Sequence, residues 1–194
     1  HRYMNNAGYP ETRAAVARKL ATDSGLEVTA AHVIMTCGAG GALNVVLKTI
    51  LNPGEEVIIL APYFVEYKFY IDNHGGVPVE VWTNRETFRL DLAAIEAAIT
   101  TKTRAIIVNS PNNPTGVIYT AEELAALGEL VKRAQTRTGH QVYVISDEPY
   151  ARLSYDGAKV PNIFPLIESS VVVTSHSKDL ALPGERIGYL AANP

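Results

Sequence analysis

Apolar residues follow two spacings along this chain, and the two spacings alternate from one end to the other. Short apolar or β-branched runs, and one alternating run, predict strands that pack into a sheet. These strands are expected at residues 32–37, 56–61, 77–82, 104–109, 141–146, 171–173 and 187–192. Between them, apolar residues recur at helical spacing, which predicts helices over residues 10–23, 43–50 and 92–99 and from residue 120 to beyond 131.

Capping residues agree with these helices. Ser24 and Gly25 end the first helix, and Asp91 is expected to cap the third. Thr120 and Glu123 form a capping box at the start of the last predicted helix. The alternation of strands and helices predicts an α/β fold: a three-layer αβα arrangement with a mainly parallel central sheet, helices on both faces and short loops.

A glycine-rich turn, residues 38–42, joins the first strand to the second helix. Backbone N–H groups at a helix N-terminus attract anions, so this turn is a candidate phosphate cradle. A dinucleotide-binding turn would carry glycine at position 43, where this chain has Leu43, so that motif is excluded. The alternative is a tight turn in which small residues serve packing alone. Cys37, before the turn, is expected to be a buried strand residue.

Aromatic and polar side chains follow other strands, at the edge where open α/β sheets place their ligands. A ring at Tyr63 or Phe64 can stack on a planar ligand, or it can begin a helix whose core face includes Tyr67. Asn113 lies in a loop dense in turn residues, which can be no more than a rigid turn. Asp147 follows the fifth strand, where a carboxylate faces a ligand or merely caps a turn.

The segment after the sixth strand combines hydroxyl, cationic and nucleophilic side chains. Ser175, His176, Ser177 and Lys178 follow that strand, and Arg186 precedes the last one. A lysine held in a poorly solvated pocket loses its proton more easily and becomes a nucleophile toward carbonyls. The hydroxyls and the guanidinium suit an anion such as phosphate.

The pattern Ser-x-Ser-Lys, with arginine eight residues after Lys178 and Gly-Tyr just beyond, resembles the pyridoxal-phosphate (PLP) attachment site of class I and II aminotransferases. Further motifs upstream follow that family's order. They are the glycine turn, Asn-Pro-Thr-Gly at 113–116 and Asp-x-x-Tyr at 147–150. The resemblance covers nearly the whole chain and implies a fold-type I PLP enzyme.

The resemblance implies a role toward PLP for each of these residues. Lys178 would hold the cofactor as a Schiff base and then act as general base. Asp147 would keep the pyridinium nitrogen protonated, while Tyr150 and Asn113 would bind the phenolic oxygen of the ring. Phe64 would stack on that ring. The phosphate would be held by Gly38, Ala39, Gly40, Ser175 and Arg186.

The implied activity is transfer of an amino group between an L-amino acid and a 2-keto acid. One alternative keeps the cofactor but changes the reaction, because residues 177–186 also resemble 1-aminocyclopropane-1-carboxylate synthases and carbon–sulfur lyases share the scaffold. Another alternative is a non-catalytic PLP-binding module. In the family, residues 1–194 would be the large, PLP-binding domain, with an N-terminal segment and a C-terminal small domain missing. The full-length parent would be a homodimer.

Composition narrows the choice of partners and location. Of the 194 residues, 47% are hydrophobic and 19% charged, as in an ordinary globular domain, and the net charge of −3 offers no basic surface to nucleic acid. A single cysteine excludes an internal disulfide and fits a reducing, cytoplasmic compartment. No apolar run suits a membrane span, and an opening without methionine suggests a cut chain. Scattered histidines do not indicate a metal site: His1, His32, His74, His140 and His176.

Overall fold

The computed structural model describes residues 3–194, so His1, one of the scattered histidines, and Arg2 lie outside the described residues. The strands are β1 (Val33–Cys37), β2 (Glu56–Ala61), β3 (Val77–Trp82), β4 (Thr103–Asn109), β5 (Tyr143–Asp147), β6 (Ser170–Ser175) and β7 (Ile187–Ala192). The helices are α1 (Pro10–Ser24), α2 (Gly38–Ile50), α3 (Glu66–Asp72), α4 (Leu92–Ala98), α5 (Ala121–Thr138) and α6 (His176–Asp179).

These strands form one seven-stranded sheet in the order β1-β7-β6-β5-β4-β2-β3. All neighbours are parallel except that β7 runs antiparallel to both β1 and β6. The predicted α/β class with a mainly parallel sheet is therefore confirmed. Because parallel strands end at a common edge, the carboxyl ends of β1 to β6 meet there, and β7 begins there.

Two apolar layers cover the two faces of the sheet. On β4, Ile106 and Val108 face the layer that contains α1, α4 and α5, whereas Ala105 and Ile107 face the layer that contains α2 and α3. All four of these side chains are at most 2% exposed. A strand buried on both faces has no polar side to alternate with, which explains the continuous apolar runs in the sequence.

The predicted helix caps are confirmed. The Asp91 carboxylate accepts a hydrogen bond from the backbone N–H of Ala94 at 3.0 Å. The Thr120 hydroxyl accepts from the N–H of Glu123 at 3.2 Å, and the Glu123 carboxylate accepts from the N–H of Thr120 at 2.8 Å. Each such cap is worth about 1 kcal/mol, so the start of the longest helix is fixed by local sequence.

The expectation of short loops is wrong for residues 148–169, which join β5 to β6 without a regular helix or strand. Pro149, Pro161 and Pro165 interrupt helix formation, because proline lacks the N–H that a helix interior needs. Phe164 and Ile167 are nevertheless 2% exposed and pack into the core. The connection is thus an irregular segment anchored by apolar side chains. Within residues 3–194, no helix has the length and apolar character to cross a membrane.

Candidate active site

A cavity of about 300 Å³ opens at the edge of the sheet where the parallel strands end. Its lining contains every residue that was predicted from the sequence to bind the cofactor or to act in catalysis, except Gly38. These residues are Ala39, Gly40, Phe64, Asn113, Asp147, Tyr150, Ser175, Lys178 and Arg186. The structure therefore brings together side chains from five separate strand ends and from the start of β7.

Asp147 is the last residue of β5, in the middle of the sheet, and it is 5% exposed. The hydroxyl of Tyr67 donates a hydrogen bond to its Oδ2 at 2.5 Å. Its Oδ1 is buried and has no hydrogen-bond partner among residues 3–194. A buried acceptor without a donor costs about 1–3 kcal/mol, so this oxygen is suited to receive a donor from a ligand in the cavity.

Burial governs the charge state of two neighbouring acids. It raises the pKa of Asp147 to about 6, although the hydrogen bond from Tyr67 opposes the rise. It also raises the pKa of Glu148 to about 7, against a hydrogen bond from the Ser146 hydroxyl, and the Asp147 charge adds to the rise. Asp147 lines the candidate site, whereas Glu148 lines a different cavity, beside α1. A cation or N–H group placed at Oδ1 would favour the ionised form of Asp147.

Tyr67 and Asn109 hold Asp147 in place, and the sequence did not reveal either role. Tyr67 is 2% exposed on α3, and burial, with the Asp147 charge, holds its pKa well above the ordinary value, so its hydroxyl remains a donor. Asn109 Nδ2 donates to the backbone carbonyl of Asp147 at 2.8 Å, and its Oδ1 accepts from the N–H of Asn113 at 2.6 Å. The sequence held one indication of the role of Tyr67: the residue lies on the apolar face of a helix, and a buried tyrosine needs a hydrogen-bond partner.

Phe64, rather than Tyr63, lies at the cavity. Its ring meets that of Tyr67 edge to face, with centroids 5.7 Å apart. Tyr63 lies instead under the amine of Lys68, 5.6 Å from its ring centroid. Helix α3 begins only at Glu66, so Phe64 precedes the helix. Its ring lines the cavity and also packs, with Tyr67, against the core, so it has the contacts of both interpretations.

The glycine turn begins α2 and serves both packing and access. Gly38 has φ of 73°, and a Cβ there would lie 2.9 Å from the guanidinium of Arg186, so only glycine fits without strain. No side-chain cap from Cys37 covers the N-terminus of α2, and Ala39 and Gly40 face the cavity. N–H groups at this N-terminus and the adjacent guanidinium suit an anion. Cys37 is exposed, so the expectation that it is buried is wrong: it is the last residue of an outer strand.

Lys178 lies on the one-turn helix α6, directly after β6, and its amine is 6.0 Å from the centroid of the Tyr150 ring. The side chain is exposed, which corrects the expectation of a poorly solvated pocket. The physical reason is its position, because α6 forms the outer wall of the cavity rather than its floor. Ser175, by contrast, ends β6 and is 5% exposed.

One ion pair joins α6 to the loop that follows Tyr150. The Asp179 carboxylate, whose side chain is 7% exposed, accepts a hydrogen bond from Arg152 at 3.3 Å and lies 3.2 Å from His176 Nδ1. The His176 ring also packs against that of Tyr189, with centroids 6.3 Å apart. His176 lines the cavity beside α1 instead of the candidate site. Asp179 therefore connects the helix that carries Lys178 to the segment that carries Tyr150.

No group of three or more His, Cys, Asp or Glu side chains within residues 3–194 is arranged to hold a metal ion. The polar groups of the cavity are instead one amine, one guanidinium, carboxylates, amides and hydroxyls. Such a set can bind a planar anion, form a covalent bond to a carbonyl through the amine, and move a proton.

Known proteins match this chain in sequence and in fold. The model of the family "Aminotransferase class I and II" matches residues 1–194. A probable aspartate/prephenate aminotransferase of Thermus aquaticus is 44% identical over 189 residues, which is 97% of this chain and 48% of that protein. An aspartate aminotransferase of Geobacillus stearothermophilus is 40% identical over 195 residues, or 98% of this chain and 48% of that protein.

The crystal structure of an aminotransferase from Eubacterium rectale has a TM-score of 0.96 to this chain at 39% identity, covering 98% of this chain and 48% of the other. This chain therefore spans about half the length of the curated relatives it matches. The family match over the whole length agrees with the mainly parallel sheet and with the residues gathered at its edge. The chain belongs to the class I and II aminotransferases, a family of PLP-dependent enzymes.

Proposed function

We propose that this chain is the cofactor-binding part of a PLP-dependent aminotransferase, which transfers an amino group between an L-amino acid and a 2-keto acid. Family membership supports the reaction class. The observation that carries the cofactor assignment is the buried, unpartnered Oδ1 of Asp147 in the same cavity as the amine of Lys178. The protonated ring nitrogen of PLP can donate to such a carboxylate oxygen. The aldehyde of the same molecule is a carbonyl that can react with the amine.

The remaining residues of the cavity fit that cofactor group by group. Phe64 offers a ring to the planar pyridine. The N-terminus of α2 and the guanidinium of Arg186 offer N–H donors and positive charge to a phosphate. Tyr150 and Asn113 offer hydrogen-bond donors to a phenolic oxygen.

When bound, PLP supplies an electron-withdrawing ring that stabilises the negative charge left as a substrate amino acid loses its Cα proton. Asp147 keeps a proton on the ring nitrogen, because a carboxylate beside a cation favours the charged form of both. Tyr67 and Asn109 fix the position of that carboxylate. The strength of the electron sink thus depends on residues of the sheet interior.

Lys178 has two tasks in this proposal. Its Nζ would hold the cofactor covalently through the aldehyde, with loss of water, and when free it would accept the proton from the substrate Cα. Both tasks require the amine to change partners during one turnover. A position on an exposed one-turn helix at the cavity wall suits such a group better than a position inside the sheet.

The proposal includes the parts of the protein that relatives have and this chain does not span. Residues 1–194 act as the large domain, and an N-terminal segment, a C-terminal small domain and a homodimer complete the site in the parent protein. The cytoplasmic location stays a prediction alongside them. We also assign the contacts to the substrate's α-carboxylate to the C-terminal part.

A labelling experiment tests the proposal directly. Protein mixed with PLP is expected to gain visible absorption, and borohydride is expected to fix a pyridoxyl group on Lys178, which peptide mass spectrometry locates. Lys178→Ala protein is expected to lose both signals. Lys159→Ala is the matched control, because Lys159 is exposed and lies outside the cavity. Equal labelling of wild-type and Lys178→Ala protein rejects the assignment.

A second measurement separates transfer from lyase chemistry in the longer protein. Appearance of a new amino acid from an added 2-keto acid supports the aminotransferase. Release of ammonia or of a cyclised product, with no new amino acid, supports the lyase or synthase alternative.

A further inference from the structure

We infer that Glu66 sets the substrate class of this cavity: it disfavours amino acids whose side chains end in a carboxylate and favours neutral or cationic ones. The inference rests on the proposed function, because it concerns the substrate of the same site. It also departs from the names of the similar proteins, which specify aspartate.

The cofactor does not use all the charged side chains of the cavity. Four charged side chains line it: Lys178, Arg186, Asp147 and Glu66. Under the proposed function, the first three are matched by the aldehyde, the phosphate and the ring nitrogen of PLP. Glu66 is the charged group of this wall that the cofactor leaves to the substrate.

Glu66 forms part of one wall of the cavity. It lies one turn before Tyr70 on α3, and the Tyr70 hydroxyl donates a hydrogen bond to its carboxylate. That hydroxyl occupies the space beside Gly40, where a Cβ would lie only 2.8 Å away from it. The Glu66–Tyr70 pair therefore forms the wall next to the N-terminus of α2, with Tyr70 half-buried and Glu66 exposed at the mouth.

This wall offers hydrogen-bond acceptors to a ligand. Burial and the Glu66 hydrogen bond hold the pKa of Tyr70 above its ordinary value, so the phenol stays protonated and its O–H remains with Glu66. The outward oxygens of the pair are then acceptors that carry negative charge. A neutral amide or a cation can donate to them, whereas a second carboxylate meets repulsion and no donor.

The size of the effect is that expected for two like charges in one partly solvated cavity. Coulomb repulsion of this kind weakens binding by about tenfold. Aspartate and asparagine provide the matched comparison, because they share size and shape and differ in the charge of the side chain.

The test titrates the PLP-loaded longer protein, which includes the C-terminal part, with L-aspartate and with L-asparagine and follows the change in visible absorption on binding. Wild-type protein is expected to bind asparagine about tenfold more tightly than aspartate. Glu66→Gln is expected to bring that ratio close to one by strengthening aspartate binding. Asp72→Asn is the control, because it removes a carboxylate from the same helix at a position that does not line the cavity.

The outcomes separate the two proposals. A ratio that is the same in wild-type and Glu66→Gln protein overturns this inference and leaves the proposed function in place, since both amino acids still bind. A shift of equal size in Asp72→Asn also overturns it, because the effect would then reflect net charge alone. Failure of PLP to label Lys178 overturns the proposed function, and the inference with it.

Discussion

The two reactive groups of the cavity are held in opposite ways. Asp147 ends the central strand, is 5% exposed, and receives support from Tyr67 and Asn109 on two other elements. Lys178 is exposed on a one-turn helix whose contacts centre on Asp179. The carboxylate belongs to the interior of the sheet, and the amine belongs to its rim.

This contrast matches the task that we propose for each group. A carboxylate that holds a proton on a ring nitrogen acts best when it is fixed and desolvated, because electrostatic effects are stronger where water is excluded. An amine that bonds, leaves and carries a proton needs room to change partners. We therefore expect changes around Asp147 to alter the electronic effect of the cofactor, and changes around α6 to alter the rate at which Lys178 moves a proton.

The largest expected effect is that of Asp147→Ala. In the longer parent protein, exchange of the substrate Cα proton, followed by NMR in deuterated water, is expected to fall on the order of a thousandfold, because the ring nitrogen loses its partner. Borohydride labelling of Lys178 is expected to persist. Glu148→Gln is the control, since Glu148 faces the other cavity. Unchanged exchange in Asp147→Ala would remove Asp147 from its role.

Tyr67→Phe is expected to have an intermediate effect. It leaves the second Asp147 oxygen without a donor, which costs about 1–2 kcal/mol in the free energy of unfolding. The pKa of Asp147 is expected to rise further, because the Tyr67 hydrogen bond lowers it in the wild type. Cα-proton exchange is expected to slow about tenfold. Tyr143→Phe, at the opposite end of β5, serves as the control, and equal effects of the two variants would contradict the account.

A smaller effect concerns the pH dependence of the cofactor-free protein. The folded state raises the pKa of Asp147 from 3.8 to about 6, so its stabilising contribution is complete below pH 3.8 and is lost as the pH rises through 6. Between pH 5 and pH 8 this group alone lowers the free energy of unfolding by about 1 kcal/mol, and Glu148 acts in the same direction.

Urea denaturation at the two pH values measures this difference. Asp147→Asn is expected to reduce the loss of stability between pH 5 and pH 8. A loss of the same size in that variant would show that the titrating group lies elsewhere.

The smallest effect is expected at the rim. In the longer protein, Asp179→Asn weakens the contacts to Arg152 and His176 and is expected to slow Cα-proton exchange about threefold. The free energy of unfolding is expected to fall by about 1 kcal/mol, because Asp179 is 7% exposed although Arg152 is open to solvent. Glu129→Gln, which breaks the exposed pair with Lys132 on α5, is the control. If Cα-proton exchange slows as much in Asp179→Asn as in Asp147→Ala, the contacts of α6 matter as much as those of Asp147, contrary to this expectation.

Much of the fold followed from sequence because both faces of the sheet are buried. The predicted limits of β2, β3 and β7 match the structure, since apolar runs between turn residues leave little choice of boundary. The irregular 148–169 segment was not predicted, because its buried Phe164 and Ile167 follow no period.

The candidate site was predictable where a residue follows a strand, and not where its role depends on a distant partner. Asp147, Asn113 and Lys178 follow parallel strands, which meet at one edge whatever the details of packing. Tyr67 supports Asp147 across 80 positions of sequence, and only the packing of α3 on the sheet reveals that contact. The exposure of Lys178 was equally hidden, since a strand's sequence does not say what covers its end.

Whether Asp147 holds a proton on the cofactor's ring nitrogen can be observed by ¹⁵N NMR of PLP that is labelled at that nitrogen and bound to this protein. We expect a protonated nitrogen in the wild type and in Lys178→Ala protein, and an unprotonated nitrogen in Asp147→Ala protein at neutral pH. A nitrogen whose protonation is the same with and without Asp147 would contradict this expectation.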